Sequence, residues 1–158
     1  EAIADAAFVS RRTFSNYFSS KEQALLHRDR TQVARLVELV RDRPERESPL
    51  EALTGAAEQL SGEWPENAAD EYRYRTLRLH PALLGELVTT YAAIERDLAA
   101  AVEQRFRAGP DAGLQARVLA AAFLAVLRVV GQAALEQPDR SVVDLLRLTT
   151  PLTWQSLR

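Results

Sequence analysis

The chain is predicted to be all-α, and three observations in its 158 residues carry that prediction. Apolar residues recur three and four positions apart through most of the chain, which places them on one face of a helix. No stretch shows the strict apolar–polar alternation of a half-buried strand. The main interruptions, at 42–49 and 109–113, are clusters of charge, proline and glycine that end helices. The expected architecture is a short helical head joined by a long helix to a C-terminal helical bundle.

The elements follow in order. Ile3, Ala4 and Ala7 share one face of a short first helix, which ends before Val9. Ser10 is placed to cap the next helix, its hydroxyl accepting from the free N–H groups there. In that helix Phe14 and Phe18, four apart, form the buried face, while Arg11 with Ser15 and Arg12 with Asn16 share the opposite one. Ser20 and Gln23 have capping-box spacing and start a long helix running to about Arg41, with Leu25, Leu26, Val33, Leu36, Val37 and Val40 on its apolar side. Pro44 and the dense charge around it break the chain, and Ser48, Pro49 and Glu51 restart it. Further helices are expected over 50–64, 65–79, 81–106, 114–137 and 141–157, with Pro138 and Asp139 separating the last two.

Composition narrows the function. Residues 1–46 hold nine Lys/Arg against seven Asp/Glu, a balance of +2, so the total of −2 leaves −4 for residues 47–158. A weakly basic head on an acidic body suits a protein that meets nucleic acid at one end only. The absence of Cys excludes a disulfide framework and thiolate chemistry. His27 and His80 are far apart and lack metal-ligand spacing. The sequence has neither a Gly-rich phosphate loop nor a serine in a nucleophile elbow, so neither an enzyme nor a cofactor is expected.

The chemistry concentrates in residues 9–21. No acidic residue lies between Asp5 and Glu22, and Arg11, Arg12, Thr13, Ser15, Asn16 and Tyr17 all bear groups that bond phosphates or base edges. A helix needs no such face merely to fold. Lys21 stands in the first turn of the following helix, where free N–H groups already favour a phosphate.

The stretch IADAAFVSRRTFSNYFSSKEQAL, residues 3–25, resembles the second half of the helix-turn-helix of TetR-like transcriptional regulators. It has their Ile-Ala-x-x-Ala helix, Val-Ser turn, Thr-Phe-x-x-Tyr-Phe recognition helix and Ser-Lys-Glu start. One departure is Phe8, where the family usually carries Gly at a position suited to left-handed backbone. The family's first helix would precede Glu1, so residues 1–41 read as an incomplete DNA-binding domain plus connecting helix. Residues 47–158 read as a helical ligand-binding and dimerisation domain. The resemblance implies a sequence-specific repressor of the bacterial cytoplasm, nucleoid-associated when bound, that is released from double-stranded operator DNA by a small-molecule effector. Ser10, Arg11, Arg12, Thr13, Ser15, Asn16, Tyr17 and Lys21 are its DNA-binding candidates. A helical interaction module with a vestigial motif is the alternative.

Val118–Leu127 is apolar on every side, so it is expected to be buried all round; ten residues between Arg117 and Arg128 are too few to span lipid. The resemblance implies that Leu114–Gln137 and Ser141–Leu157 pack against their copies in a homodimer. Trp64, Tyr72, Arg75, Tyr91, Phe123 and Arg128 are candidate ligand-binding residues, since aromatic walls with a few polar groups make small-molecule pockets; the same aromatics also serve as plain core. Arg128, after the apolar run, is expected to be buried. It then needs either Glu95 or Asp97 as a partner, or an anionic ligand in a cavity shared with Arg75 or Tyr91.

Overall fold

The computed structural model describes residues 4–5, 7–63, 81–106, 108–137 and 139–155. These form α1 (Arg11–Tyr17), α2 (Lys21–Asp42), α3 (Pro49–Glu63), a 3-10 turn (Pro81–Leu83), α4 (Leu84–Glu103), α5 (Ala112–Glu136) and α6 (Val142–Gln155), with no strand among the described residues. The fold is all-helical, as the periodicity requires. The helix expected over 65–79 lies outside the described residues. The one expected over 81–106 begins as the 3-10 turn and stops at Glu103, where Arg105 and Phe106 donate three residues back, to the carbonyls of Val102 and Glu103.

The helix starts are set by local polar groups. Thr13 N–H donates to Ser10 Oγ at 3.0 Å, and Gln23 N–H to Ser20 Oγ at 3.0 Å. The Gln23 carboxamide does not close a standard capping box: it accepts from the N–H of Ser19, at 2.8 Å, one residue earlier. Ser48 and Glu51 do close one, Ser48 N–H donating to Glu51 Oε2 at 2.8 Å and Glu51 N–H to Ser48 Oγ at 3.3 Å.

Phe8 occupies a left-handed conformation, φ 54°. Val9 N–H donates to Ala4 O and Phe8 N–H to Asp5 O, the paired bonds of a Schellman ending with Phe8 where glycine is favoured. Its ring is 97% exposed, so no packing offsets the backbone strain.

Helix α2 serves two clusters. Leu26 is buried near its head end, while Leu36, Val37, Leu39 and Val40 enter the main core with Leu53 and Ala56 of α3, Leu98 and Val102 of α4, Phe123 of α5 and Leu146 of α6. The body end of α2 is fixed by a residue distant in sequence. Arg105, just past α4, donates to the carbonyls of Val40 at 2.9 Å, Arg43 at 2.8 Å and Pro44 at 2.8 Å. Val40 lies in the last turn of α2, Arg43 caps it and Pro44 follows, so the guanidinium gathers the carbonyls at the helix exit, where a cation also complements the helix dipole. Arg43 pairs with Glu47 and lies flat against α3, where a Cβ on Gly55 would come within 2.8 Å of its guanidinium.

Two ion pairs fasten α3 to its neighbours. Arg35 of α2 holds Glu63 through bonds of 2.8 and 2.9 Å, and Arg147 of α6 holds Glu58 through bonds of 2.8 and 3.2 Å. Hydrogen bonds from these guanidinium groups keep both carboxylates below the ordinary glutamate range. Their contribution is present at neutral pH and is lost as the pH falls through the depressed folded-state values, below the ordinary glutamate range.

Helix α5 departs from expectation. Its apolar stretch runs over Ala112–Ala134, long enough to cross a membrane by length and composition, yet most of its residues are not buried in the subunit. Leu114 (61% exposed), Val118 (59%) and Val129 (52%) form an outward stripe with exposed Ala125, and α6 adds Leu148 (49%). The described helices of one subunit do not cover both faces. Leu145 and Leu146, in contrast, lie inside the subunit's own core. Arg117 and Arg128 are both exposed, about three turns apart on one side of α5, and two guanidinium groups at that depth oppose insertion in lipid.

Phe8→Gly should raise unfolding stability by about 0.5–1 kcal/mol, because glycine relieves the left-handed strain while its own chain entropy takes back part of the gain. Urea unfolding monitored by circular dichroism measures this, and an unchanged or lower midpoint would contradict the strain. Arg105→Met should cost about 1.5–3 kcal/mol in the same measurement, since the carbonyls at the end of α2 lose a charged donor.

Candidate nucleic-acid interface and ligand groove

Helix α1 contributes no buried residue. Arg11, Arg12, Thr13, Ser15, Asn16 and Tyr17 are exposed, Tyr17 by 77%, while Phe14 and Phe18 are half-buried instead of the fully buried pair expected. The two rings lie 5.3 Å apart, and Phe18 meets the His27 ring edge-on at 5.3 Å, which anchors α1 to α2. A helix held by one aromatic seam leaves its other sides to solvent. Ser10 and Thr13 are partly engaged already: their hydroxyls share a 2.8 Å hydrogen bond, and Ser10 caps the helix. Lys21 is largely exposed and sits 3.7 Å from Glu22, an exposed pair too weak to remove its charge from the surface. All eight candidate DNA-binding residues therefore fall in one continuous segment at the head.

In the body, Tyr91 and Glu95 of α4 face Ala121, Leu124, Ala125 and Arg128 of α5 across an open groove of about 300 Å³. Tyr91 and Arg128 thus line the same groove. Arg128 is exposed, not buried, because it lies on the face of α5 that the subunit leaves uncovered. It forms no ion pair with Glu95 or Asp97; Asp97 instead lies 3.9 Å from Arg96. Phe123 is fully buried in the main core and lines neither this groove nor the second one. Trp64, Tyr72 and Arg75 lie outside the described residues. The floor residues Ala121 and Ala125 could be singled out in sequence only as small residues on an apolar helix. Their role as a floor depends on which part of α4 lies opposite.

A second, almost wholly apolar groove of about 490 Å³ runs between the start of α3 (Pro49, Leu50), Phe106 and the first turns of α5 (Leu114, Val118). Among the described residues there is no cluster of His, Asp or Glu suited to a metal ion.

Comparison with known proteins agrees with this layout. Residues 47–152 match the family model described as the MftR C-terminal domain, one of the TetR C-terminal domains. The chain is also 30% identical over 139 residues to the HTH-type transcriptional regulator TcmR of Streptomyces glaucescens, an alignment covering 84% of this chain and 62% of that protein. The chain thus spans less than two thirds of that relative's length. With the head motif of residues 3–25, the all-helical body and the family match over 47–152 in agreement, the chain belongs to the TetR-like family of transcriptional regulators.

Proposed function

We propose that the chain is a sequence-specific DNA-binding repressor of the bacterial cytoplasm, active as a homodimer and released from its operator by a small-molecule effector, with no enzymatic activity. The observation that carries this reading is the exposure of every polar side chain of α1 on a helix whose half-buried residues are Phe14 and, at its end, Phe18. Arg11, Arg12, Ser15 and Asn16 would face the major groove, with Thr13, Tyr17 and Lys21 on phosphates and Ser10 at the edge of the interface. One helix of seven residues makes few contacts. A symmetric pair reads two half-sites, and the outward stripe on α5 with Leu148 supplies a surface for that pairing. Coupling requires the effector and the operator to favour different arrangements of the same dimer.

Selection of bound fragments from a random DNA pool tests the central claim, with a two-fold symmetric consensus as the expected outcome. Recovery of no preferred sequence, by protein that is folded and dimeric, would leave the interaction-module reading in its place. Arg12→Ala should cost about 1–3 kcal/mol and relax preference at one base position per half-site. Lys21→Ala should weaken all sequences alike and lower the salt slope by about one unit per subunit. Sequence-independent losses from both would remove the base-reading role of α1.

Dimerisation is tested on the outward stripe. Val129→Glu should give a folded monomer, whereas a charge at Leu145 should unfold the subunit, because Leu145 is core. Sedimentation velocity with circular dichroism separates the two results. A wild type that sediments as a monomer at micromolar concentration is incompatible with the dimer.

A further inference from the structure

The groove between α4 and α5 opens on the side of α5 that the described residues leave uncovered. Ala125 belongs both to its floor and to the outward stripe of Leu114, Val118 and Val129. A second copy seated on that stripe therefore roofs the groove, and by two-fold symmetry each copy roofs the other's. We propose that this groove is one half of a binding site for an organic monoanion with an apolar body, the other half being α5 of a second copy of this chain. The inference rests on the proposed dimeric, effector-responsive function and assigns to it a site and a ligand class.

The charge follows from what the roof does to Arg128. In the single subunit its guanidinium is exposed and has no ion pair among the described residues, so water solvates it. Covering it with an apolar stripe removes that water, and a guanidinium that stays unpaired from Glu95 across the groove is strongly disfavoured under such a cover. An acidic group on a ligand restores the balance, and a carboxylate does so through two parallel N–H···O bonds. Leu124 and the two alanines supply an apolar surface for the rest of the molecule, and about 300 Å³ lies at the small end of ligand cavities. Glu95 on the α4 wall sets the limit of one negative charge. It lines the same groove without pairing to Arg128, and it repels a second anionic group.

Calorimetric titration of the whole chain with 2-naphthoate, its neutral amide, 2-naphthylmethylammonium and 2,6-naphthalenedicarboxylate tests the proposal. The dimer should bind one naphthoate per subunit, at least about tenfold more tightly than the other three probes. Arg128→Gln should abolish the preference for acid over amide while the protein remains dimeric. Affinity for naphthoate should fall about tenfold in folded Val129→Glu, and likewise when the wild type is diluted until the dimer dissociates, a measurement that does not depend on the variant folding. Equal binding of acid and amide, a preference that survives Arg128→Gln, or undiminished affinity in the monomer would each overturn the proposal. Absence of naphthoate binding by a dimer that still selects DNA would refute the ligand class alone. A monomeric wild type would remove the dimer reading and the half-site with it.

Discussion

The end of α2 is the point on which the rest of the molecule depends. The chain leaving the helix that closes at Asp42 turns through Arg43 and Pro44, and Arg105, arriving from the far end of α4, donates to three carbonyls there, those of Val40, Arg43 and Pro44. That clamp, with Arg43 laid against Gly55 and paired to Glu47, fixes one end of a 22-residue helix about 33 Å long. The other end carries the head, through Leu26 and the Phe14, Phe18 and His27 rings. A small rotation at the clamp becomes a larger displacement at α1. Because α4 also supplies Tyr91 and Glu95 to the groove, the helix that would touch a bound molecule is continuous with the residue that holds the pivot.

Helix α5 imposes the second constraint. It gives Ala116, Leu119, Ala120, Phe123 and Val130 to the subunit core and leaves Leu114, Val118 and Val129 outside. Apolar surface of that extent is stable in water only when something covers it, and the exposed Arg117 and Arg128 make lipid an unfavourable cover. In the proposed dimer a copy of the same surface supplies the cover. Helix α3 then lies between the two demands, tied to α6 by Arg147 and Glu58 and to α2 by Arg35 and Glu63. Displacements at the outward helices and at the connecting helix therefore share a partner.

The all-helical class, the head motif and the caps at Ser10, Ser20 and Ser48 were legible in the sequence, because each depends on residues within one or two turns of each other. Phe8 was legible as a departure, and its left-handed backbone is the physical meaning of that departure. The exposure of α1 followed from the same local logic: two aromatics four apart leave the remaining face free. What the sequence misjudged was depth. An apolar run such as Val118–Leu127 states how much surface must be covered, not whether the cover comes from the same subunit, so Arg128 was expected to be buried and is exposed.

By itself, then, the sequence determined that the chain is helical, that Ser10, Ser20 and Ser48 start helices, which face of α1 meets solvent and which family's motif the head carries. Those properties come from hydrogen bonds and side-chain spacing along a single helix. The tertiary structure decided the clamp of Arg105 on α2, the burial of Phe123 and Leu145, and the meeting of Tyr91 and Glu95 with Ala121, Ala125 and Arg128. Arg105 reaches carbonyls 61 to 65 residues away, and no local pattern marks an arginine for that task. Contacts of that separation depend on how helices cross, and crossing is set by the packing of the whole core.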